Sequence, residues 1–489
     1  MSGPPAADVG GALAALRAAL GDRDAWLVGG TIRDRLLDRS PEGPPDLDVV
    51  VRGDPERAAR TLARGERAAV FPLSESFGAW RVIGPGRVWQ VDLAPLHGDS
   101  IVADLRVRDF TVNALAEPLG GGEPIDPFGG AEDLAARRLR MVTPEAFALD
   151  ALRPLRLARL AAELGVDVDR PTAAAARAAA SALRDVAGER VFAELSRLLL
   201  TPAAVRGLVL LDELGLTEVV LPEVAALHGV QQSAYHHRDV YGHTLEVLQT
   251  VIDLERDPAS ALSAELAAAT SALLAEPLAD GLTRGGALRF GALLHDVAKP
   301  ATQVSLPGGR IGFPGHDREG AEMARAILRR LRASVRLQNH VAELARHHLR
   351  LGFLVHQAPL DRRGVHDYLV ACGSVAADVT LLTVADRLAT RGRKADEAIA
   401  RHLELARRLL AAALAERQQG RRAPLVRGDE LAAELGLAPG PPLGRLLAEL
   451  EAAAYAGEIH TREEAIAHAR RALAAGQAAS GREVERDAT

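Results

Sequence analysis

The sequence predicts an α+β head followed by a long, mainly helical region, and three observations lead to this fold class. Residues 24–120 alternate short β-branched runs, such as AWLVGG and DLDVVV, with turns rich in Gly and Pro. This alternation is typical of a small mixed sheet with helices. From about residue 130 onward, Ala, Leu, Arg and Glu recur at the 3.6-residue spacing of helices. The length of 489 residues suggests roughly two to four domains.

Composition narrows the class of protein. Apolar residues make up 48% of the chain and charged residues 25%, as in ordinary water-soluble proteins. The single cysteine, Cys372, excludes a disulfide framework and a cysteine-rich zinc site. No apolar run approaches the roughly 20 residues of a membrane span, and the N-terminus does not resemble a signal peptide. We therefore expect a cytoplasmic protein that contacts no membrane.

The charge pattern leaves nucleic-acid binding open. The net charge is −6, so binding to RNA would need a local basic surface. Residues 387–422 carry ten Lys and Arg against four Asp and Glu, which fits either such a surface or a solvated helix face. Only two lysines occur, Lys299 and Lys394, while arginines are abundant. A lysine in this chain is therefore a stronger indication of a functional position than an arginine.

A glycine turn opens the strongest motif of the head. A strand ending at Val28 is followed by Gly29 and Gly30 and then by a predicted helix that carries Arg33. Glycines allow close approach of the backbone, and a helix N-terminus offers free N–H groups to a phosphate. Arg33 adds a charged donor nearby. The turn therefore predicts a site for a phosphorylated ligand.

Two carboxylates follow this turn at alternate positions. Asp46 and Asp48 lie on a predicted strand, so both side chains face the same side of the sheet. A DxD pair alone is more often a surface turn, but the preceding glycine turn favours a site for Mg²⁺ bound by carboxylates and substrate phosphates. Asp92, on a later strand, is the candidate third carboxylate.

These motifs resemble the head of the class II tRNA nucleotidyltransferase and bacterial poly(A) polymerase family, within the DNA polymerase beta superfamily. The segment DLRVRDFTVNALA at 104–116 resembles the next family motif. The resemblance implies that Arg108, Asp109 and Asn113 contact the nucleotide, with the Arg-Asp pair on its ribose. Val107 stands where the family usually has an arginine, so one of these contacts is in question.

The resemblance continues into a helical neck. DPFGGAEDL at 126–134 resembles the hinge motif, and LDALR at 149–153 resembles the base-selecting motif E-D-x-x-R, with Leu149 in place of the glutamate. We expect Asp150 and Arg153 to share a helix face and to present a Watson–Crick-like edge to CTP or ATP. Taken alone, the pair would be a surface salt bridge.

A second ordered set of residues falls in the helical region. Imidazoles and carboxylates occur at His243, His295, Asp296, His316, His348 and Asp386. Such donors suit a divalent metal with open positions for water.

Their order resembles the HD phosphohydrolase superfamily, and HDVAK at 295–299 resembles its H-D-I-G-K form. We expect a divalent metal of undetermined identity (Ni, Mn, Fe or Mg) here, and an adjacent His-Asp pair can bridge two ions. Lys299 is expected to bind substrate phosphate as a point charge. The domain either hydrolyses phosphomonoesters or 2′,3′-cyclic phosphates, or only binds a metal and shapes a tRNA platform.

The resemblance also implies a domain plan. We expect an N-terminal segment (1–23), a nucleotidyltransferase head (24–140), an all-α neck (141–228), an HD domain (229–395), a helical C-terminal body (396–475) and a disordered tail (476–489).

The implied activity is addition of CMP and AMP to the tRNA 3′ end, with Mg²⁺ at the head and with tRNA, ATP and CTP as partners. The loop at 94–103 is short, which resembles members that add only CC and leave the final A to a second enzyme. A poly(A) polymerase would carry a basic C-terminal extension, which the residues after Gly476 lack. The remaining alternatives are an HD phosphohydrolase with a non-catalytic RNA-binding head and, least favoured, a non-catalytic tRNA-binding protein.

Overall fold

The structure is a computed structural model that describes residues 9–21, 23–39, 44–74, 78–232, 237–390, 395–420 and 423–486. The chain divides into two compact units, Met1–Pro222 and Glu223–Thr489. The finer domain boundaries expected from the sequence stay predictions.

A six-stranded mixed sheet forms the head of the first unit. Its strands are β1 (Ala25–Val28), β2 (Asp46–Val51), β3 (Ala69–Ser74), β4 (Ala79–Ile83), β5 (Gln90–Pro95) and β6 (Ala116–Pro118). Their order across the sheet is β3-β4-β5-β2-β1-β6. Strands β2 and β5 run parallel, and the other neighbours are antiparallel. The parallel pair brings the DxD strand beside the strand that carries Asp92.

The helices of the first unit cover the sheet and then continue as a helical neck. They are α1 (Val9–Leu20), α2 (Gly30–Leu36), α3 (Pro55–Glu66), α4 (Ile101–Arg106), α5 (Gly130–Ala135), α6 (Ala146–Leu149), α7 (Arg153–Leu164), α8 (Arg170–Ala179), α9 (Gly188–Leu200), α10 (Ala204–Glu213) and α11 (Thr217–Val220). Short strands β7 (Arg138–Leu139) and β8 (Asp167–Val168) pair within it. Three 3-10 turns span Pro85–Arg87, Thr111–Asn113 and Ala180–Asp185.

Local sequence explains where the central neck helix α7 begins and ends. Pro154 occupies the first turn, where its missing N–H costs no hydrogen bond. Gly165 ends the helix in the left-handed conformation, with φ 66°. The apolar face of α7 packs against α9 and α10. The buried Leu155 and Ala158 belong to this packed face.

The second unit is helical apart from two short hairpins. Its helices are α12 (Pro222–Ala225, which begins at the last residue of the first unit), α13 (Val240–Arg256), α14 (Ala264–Leu274), α15 (Arg284–Leu294), α16 (Lys299–Thr302), α17 (His316–Arg330), α18 (Val335–His347), α19 (Arg350–Leu354), α20 (Arg362–Cys372), α21 (Ala376–Ala389), α22 (Ala395–Gln419), α23 (Gly428–Leu435), α24 (Pro441–Ala456) and α25 (Arg462–Arg486). The hairpins pair β9 (Pro277–Ala279) with β10 (Leu282–Thr283), and β11 (Val304–Leu306) with β12 (Arg310–Gly312). Three 3-10 turns span Pro258–Ser260, Val355–Gln357 and Gly373–Val375.

Two buried helices form the centre of the second unit. All eleven residues of α15 are buried, and α21 is buried over most of its length. The stretch Arg362–Ala389 is long and apolar enough to cross a membrane by length and composition alone, but 78% of its apolar window is buried inside the unit. This burial is the pattern of a core helix. The HD dipeptide at the end of α15 therefore lies inside a packed core.

The C-terminal region differs in one respect from the expectation. Helix α25 runs to Arg486, past residue 476, where the sequence predicts a disordered tail. Its Ala-rich sequence has high helix propensity, which the prediction from small and polar residues underweighted.

In the basic stretch 387–422, Arg407 donates to the Ala261 carbonyl and Arg417 to Glu276, while Lys394 lies outside the described residues.

Candidate functional site

The predicted glycine turn lies at the N-terminus of α2, in a conformation that requires glycine. Gly29 has φ 77°, and a Cβ built there would lie 3.3 Å from Arg108 Nη1 and 3.7 Å from Asp48 Oδ2. An L-residue would be strained in this conformation. The turn therefore brings the DxD strand and the Arg108 motif close together.

The sheet places the three predicted carboxylates on one face. Asp48 lies directly opposite Asp92 in the parallel β2–β5 register, and Asp46 is two residues before Asp48 on the same face. Asp46 and Asp48 are exposed to a pocket, whereas Asp92 accepts two hydrogen bonds of 2.6 Å from Arg81 on β4. Arg81 was not singled out from the sequence. Asp46 and Asp48 thus face the pocket, while the third carboxylate is held by an arginine.

A cavity of about 920 Å³ opens in front of these carboxylates. It is lined by the residues expected to bind the nucleotide and by further arginines of the neck. The lining includes Gly29, Gly30, Arg33, Asp46, Asp48, Arg108, Asp109, Asn113, Arg153, Arg156, Arg159 and Arg197. A cavity with two carboxylates at one end and several guanidinium groups along its wall is suited to a metal-bound polyphosphate.

The carboxylate pair is electrostatically strained as it stands. Removal from bulk water and the adjacent Asp46 raise the pKa of Asp48 to about 6, although Arg108 opposes the rise. A cation between the two carboxylates would relieve this repulsion. The residues therefore fit Mg²⁺, for which Asp46 and Asp48 are the ligands offered by the chain.

This raised pKa predicts a pH dependence of metal binding. Asp48 must lose its proton to bind Mg²⁺, so affinity for Mg²⁺ should be full above pH 7 and should fall as the pH drops through about 6. Calorimetric titration with Mg²⁺ at a series of pH values checks this. Near pH 6, binding should release protons. An affinity that stays constant down to pH 5 contradicts the assignment.

The base-selecting pair differs from its prediction. Asp150 and Arg153 do not share a helix face, because Asp150 is extended, with φ −151° and ψ 111°, and α7 begins only at Arg153. The Asp150 carboxylate accepts the Leu152 N–H, which holds it in a turn before the helix. It also accepts two hydrogen bonds, of 3.0 and 2.9 Å, from Arg190 on α9.

Arg153 is likewise engaged with the protein. Its guanidinium donates to the backbone carbonyls of Val107, Arg108 and Ala146. Arg153 lines the cavity, whereas Asp150 is not among its lining residues. Leu149, where the family has a glutamate, is 55% exposed. Backbone carbonyls thus orient Arg153 in this chain.

Three of the residues expected to contact the nucleotide, Arg33, Asn113 and Asp109, form one polar chain. Arg33 pairs with Asp34 and donates to Asn113 Oδ1 at 2.7 Å, and Asn113 donates to Asp109 at 3.1 Å. Arg108 pairs with Asp104. The chain continues into the neck through Arg156, Glu194 and Arg159, which were not predicted. The spacing of the arginines at 153, 156 and 159 was the signal that could have identified them.

In the second unit, the structure brings all six predicted metal ligands together as two groups. One group is His243, His295 and Asp386, and the other is Asp296, His316 and His348. Within each group the ligand atoms lie within 4.8 Å of one another. The neighbouring residues His295 and Asp296, at the end of α15, join the two groups.

Three of the imidazoles are oriented by the backbone. Nδ1 of His295, His316 and His348 each lies 2.6–2.9 Å from the carbonyl three residues earlier. Because Nδ1 donates to that carbonyl, Nε2 carries a lone pair, as a metal ligand must. Nε2 of His316 and Nε2 of His348 face each other at 3.3 Å. Two facing lone pairs need a cation between or beside them.

Two buried polar atoms among the described residues also indicate a metal site. His295 Nε2 and Asp296 Oδ1 are buried, and the described residues give neither a hydrogen-bond partner. Burial alone would raise the pKa of Asp296, but His295 and Lys299 beside it lower that pKa well below its usual value. Burial lowers the pKa of His348, so its imidazole is neutral. Burial alone would lower the pKa of His295, but the adjacent Asp296 raises it, so His295 must lose a proton before it can bind a metal. An ionised carboxylate and neutral imidazoles are the donor set of divalent metals.

Lys299 lies against this centre. Its Nζ is 2.7 Å from Asp296 Oδ2, donates to Gln232 Oε1 at 2.6 Å and lies 5.4 Å from the centroid of the Phe313 ring. The role of Lys299 in binding a substrate phosphate stays a prediction.

The two groups predict two divalent ions per chain in the second unit. Manganese content measured after desalting should approach two equivalents. His316→Ala removes a ligand of only one group. Because a divalent ion needs its full set of ligands, the variant should retain about one equivalent of manganese. An unchanged content in this variant would contradict the second group.

Three parts of the chain match known family descriptions. Residues 25–92 and 90–140 match the poly A polymerase head domain, and residues 240–391 match the HD domain. Between them, residues 165–227 match a segment described as a probable RNA- and SrmB-binding site of polymerase A. The order of head, neck segment and HD domain agrees with the order of the motifs.

Solved structures support the fold. A CCA-adding enzyme in complex with ATP matches with a TM-score of 0.64 at 17% identity, covering 96% of this chain and 97% of that one. The Thermotoga maritima CCA-adding enzyme complexed with tRNA matches with a TM-score of 0.59 at 18% identity, covering 94% of each chain. At such identities the likeness shows a shared fold.

Curated relatives are considerably more similar in sequence. An A-adding tRNA nucleotidyltransferase from Deinococcus radiodurans is 37% identical over 91% of this chain and 95% of its own length. A CC-adding tRNA nucleotidyltransferase from Thermus thermophilus is 38% identical over 91% of this chain and 92% of its own length. Because the similarity spans nearly the whole of both relatives, this chain is an enzyme of the tRNA nucleotidyltransferase and poly(A) polymerase family, with an α+β head and an HD domain.

Proposed function

We propose that this chain adds CMP and AMP to the 3′ end of tRNA without a template and so builds or repairs the CCA end. The observation that carries the proposal is the pair Asp46 and Asp48 on one sheet face, opening into the arginine-lined cavity. The 3′-hydroxyl of tRNA would attack the α-phosphorus of the nucleotide, and pyrophosphate would leave. The degenerate, non-catalytic head considered above is not favoured, because both carboxylates face the cavity.

Each part of the head has a proposed task. Asp46 and Asp48 hold Mg²⁺, which when bound neutralises phosphate charge in nucleotidyl transfer. The turn at Gly29 and Gly30 with Arg33 receives the triphosphate. Asp92, which is held by Arg81, would accept the proton of the 3′-hydroxyl once that pair opens.

The nucleotide's sugar and base face different residues. Arg108, Asp109 and Asn113 line the cavity and are assigned to the ribose. Asp150 and Arg153 are assigned to the base, which requires both to leave their present partners on nucleotide binding. Because the motif positions fit either base and relatives of both kinds are similar, we assign both CTP and ATP as substrates. A cytoplasmic location fits a tRNA substrate.

The HD domain is proposed to hydrolyse phosphate esters, either phosphomonoesters or 2′,3′-cyclic phosphates. The two ligand groups and Lys299 support this second activity. Divalent ions bound there would supply a nucleophilic hydroxide at neutral pH. Lys299 would hold the substrate phosphate.

The product is tested with three tRNA transcripts that lack CCA, end in CC, or carry the full CCA end. Each is incubated with Mg²⁺ and CTP or ATP, separately and together. Addition of CCA to the first and A to the second supports the proposal. A stop at CC indicates a CC-adding enzyme that works with a separate A-adding enzyme. A long A tract indicates a poly(A) polymerase, and no addition to any transcript overturns the assignment.

A further inference from the structure

A continuous series of polar contacts runs from the phosphate-binding helix of the head to the neck. Arg33 on α2 donates to Asn113, Asn113 donates to Asp109, and Asp109 accepts from Arg156 on α7. Every donor–acceptor distance in these three steps lies between 2.7 and 3.1 Å. The series links residues assigned to phosphate and ribose with the helix that begins at Arg153.

Glu194 on α9 closes this series on the neck side. Its Oε1 accepts from Arg156 Nε at 3.1 Å, and its Oε2 accepts from Arg159 Nε at 2.5 Å. Glu194, Asp109 and Arg159 are each 6% exposed or less. Arg156 therefore bridges one carboxylate of the head and one of the neck with different edges of the same guanidinium. A lysine, with a single ammonium group, cannot reproduce such a bridge in a fixed plane.

We propose that Arg156 and Glu194 are positioning residues that set α7 relative to the ribose-contacting motif and thereby determine which base is accepted. The proposal rests on the proposed nucleotidyl transfer and adds residues to it. Arg153 opens α7, and its guanidinium donates to carbonyls of the same motif, so the tilt of α7 fixes where Arg153 lies. Arg156 and Glu194 need not touch the base to control its selection.

The surroundings of Arg156 in the structure support a role for this residue beyond stability. Arg156 lies along the cavity, as does Arg159, although Glu194 lies behind them. Burial alone would raise the pKa of Asp109, but Arg156 and hydrogen bonds from Asn113 and the Phe110 N–H lower it. The ribose-contacting carboxylate is therefore ionised and fixed by the same arginine that Glu194 holds.

Glu194→Gln is the decisive variant. It keeps the side-chain shape and removes the charge, and each arginine retains one carboxylate partner, Asp109 for Arg156 and Glu163 for Arg159. Asp167→Asn is the matched control, because Asp167 pairs with Arg206 on the exposed surface of the same unit. Single-nucleotide kcat/KM is measured for CTP, ATP, UTP and GTP on the tRNA transcripts, together with the thermal midpoint.

In Glu194→Gln we expect kcat/KM for CTP and ATP to fall by up to about 100-fold, as for a small misplacement of reacting groups, with kcat falling more than KM rises. Discrimination against UTP and GTP should fall with it, while the control behaves as wild type. Unchanged discrimination in an active, folded Glu194→Gln overturns the proposal, and so does an equal loss for all four nucleotides.

Two further outcomes are distinguishable. If Glu194→Gln does not fold, Arg156→Lys takes its place, since it keeps the charge but not the bridge, and the same loss of discrimination is required of it. If wild type adds no nucleotide, the proposed function itself fails. If wild type is active and the variants discriminate between nucleotides as wild type does, only the positioning role proposed for Arg156 and Glu194 is contradicted.

Discussion

Asp48→Asn is expected to abolish nucleotide addition while leaving the chain folded. The asparagine keeps the size of the side chain but removes one of two carboxylates offered to Mg²⁺. A metal in such a site supplies several kcal/mol of transition-state stabilisation, and each ~1.4 kcal/mol is tenfold in rate, so we expect a loss of about 1000-fold or more. The measurement is single-turnover CMP addition to a tRNA transcript that lacks CCA.

The same variant should not lose stability. The pKa of Asp48 is raised in the folded chain to about 6, so wild type without Mg²⁺ loses stability as the pH rises from about 4 through 6. Asparagine cannot ionise, so Asp48→Asn should melt at the same temperature as wild type or higher at pH 7 in metal-free buffer. Asp24→Asn, which removes an exposed partner of Arg52 in the same head, is the control and should retain addition. A lower melting temperature together with lost addition would indicate misfolding instead.

His295→Ala is expected to abolish phosphate-ester hydrolysis and to leave nucleotide addition intact. His295 belongs to one ligand group and is covalently adjacent to Asp296 of the other, so its loss should lower the metal content of the second unit. Without a metal-generated nucleophile, hydrolysis should fall about 1000-fold or more. Hydrolysis of 2′,3′-cyclic AMP and of p-nitrophenyl phosphate with added Mn²⁺ or Ni²⁺ is the measurement.

His366→Ala is the matched control for that experiment. His366 lies in the same unit but packs against Tyr455 and belongs to neither ligand group. Its loss should leave hydrolysis and metal content unchanged. Hydrolysis that persists in His295→Ala would mean that the activity does not belong to the HD centre. Wild type that binds two ions and hydrolyses neither substrate would support the purely structural alternative.

The positions of the candidate metal ligands were predictable because they depend on short-range order. Asp46 and Asp48 alternate on one strand, so any sheet that includes this strand puts them on one face. The HD ligands were predictable as a set from their order along the chain, and they lie on, or at the ends of, five helices: α13, α15, α17, α18 and α21. Their division into two groups was not, since it depends on how five helices pack.

The base-selecting pair shows the limit of spacing arguments. Asp150 and Arg153 are three residues apart, which places two side chains on one face only where both residues are helical. Asp150 instead accepts the N–H of Leu152 and turns the chain before α7, as aspartates often do at helix starts. Arg190, the partner of Asp150, and Glu194, the partner of Arg156, both lie on α9, and the order of residues along the chain gives no distance between two helices.

The central claim is that the Asp46 and Asp48 pair, independently of the HD centre, carries nucleotidyl transfer. It is tested most directly by CMP and AMP incorporation into a tRNA transcript lacking CCA, with wild type, Asp48→Asn and His295→Ala compared in one Mg²⁺ buffer. The account predicts extension by wild type and His295→Ala and none by Asp48→Asn. Extension by Asp48→Asn at the wild-type rate would contradict it.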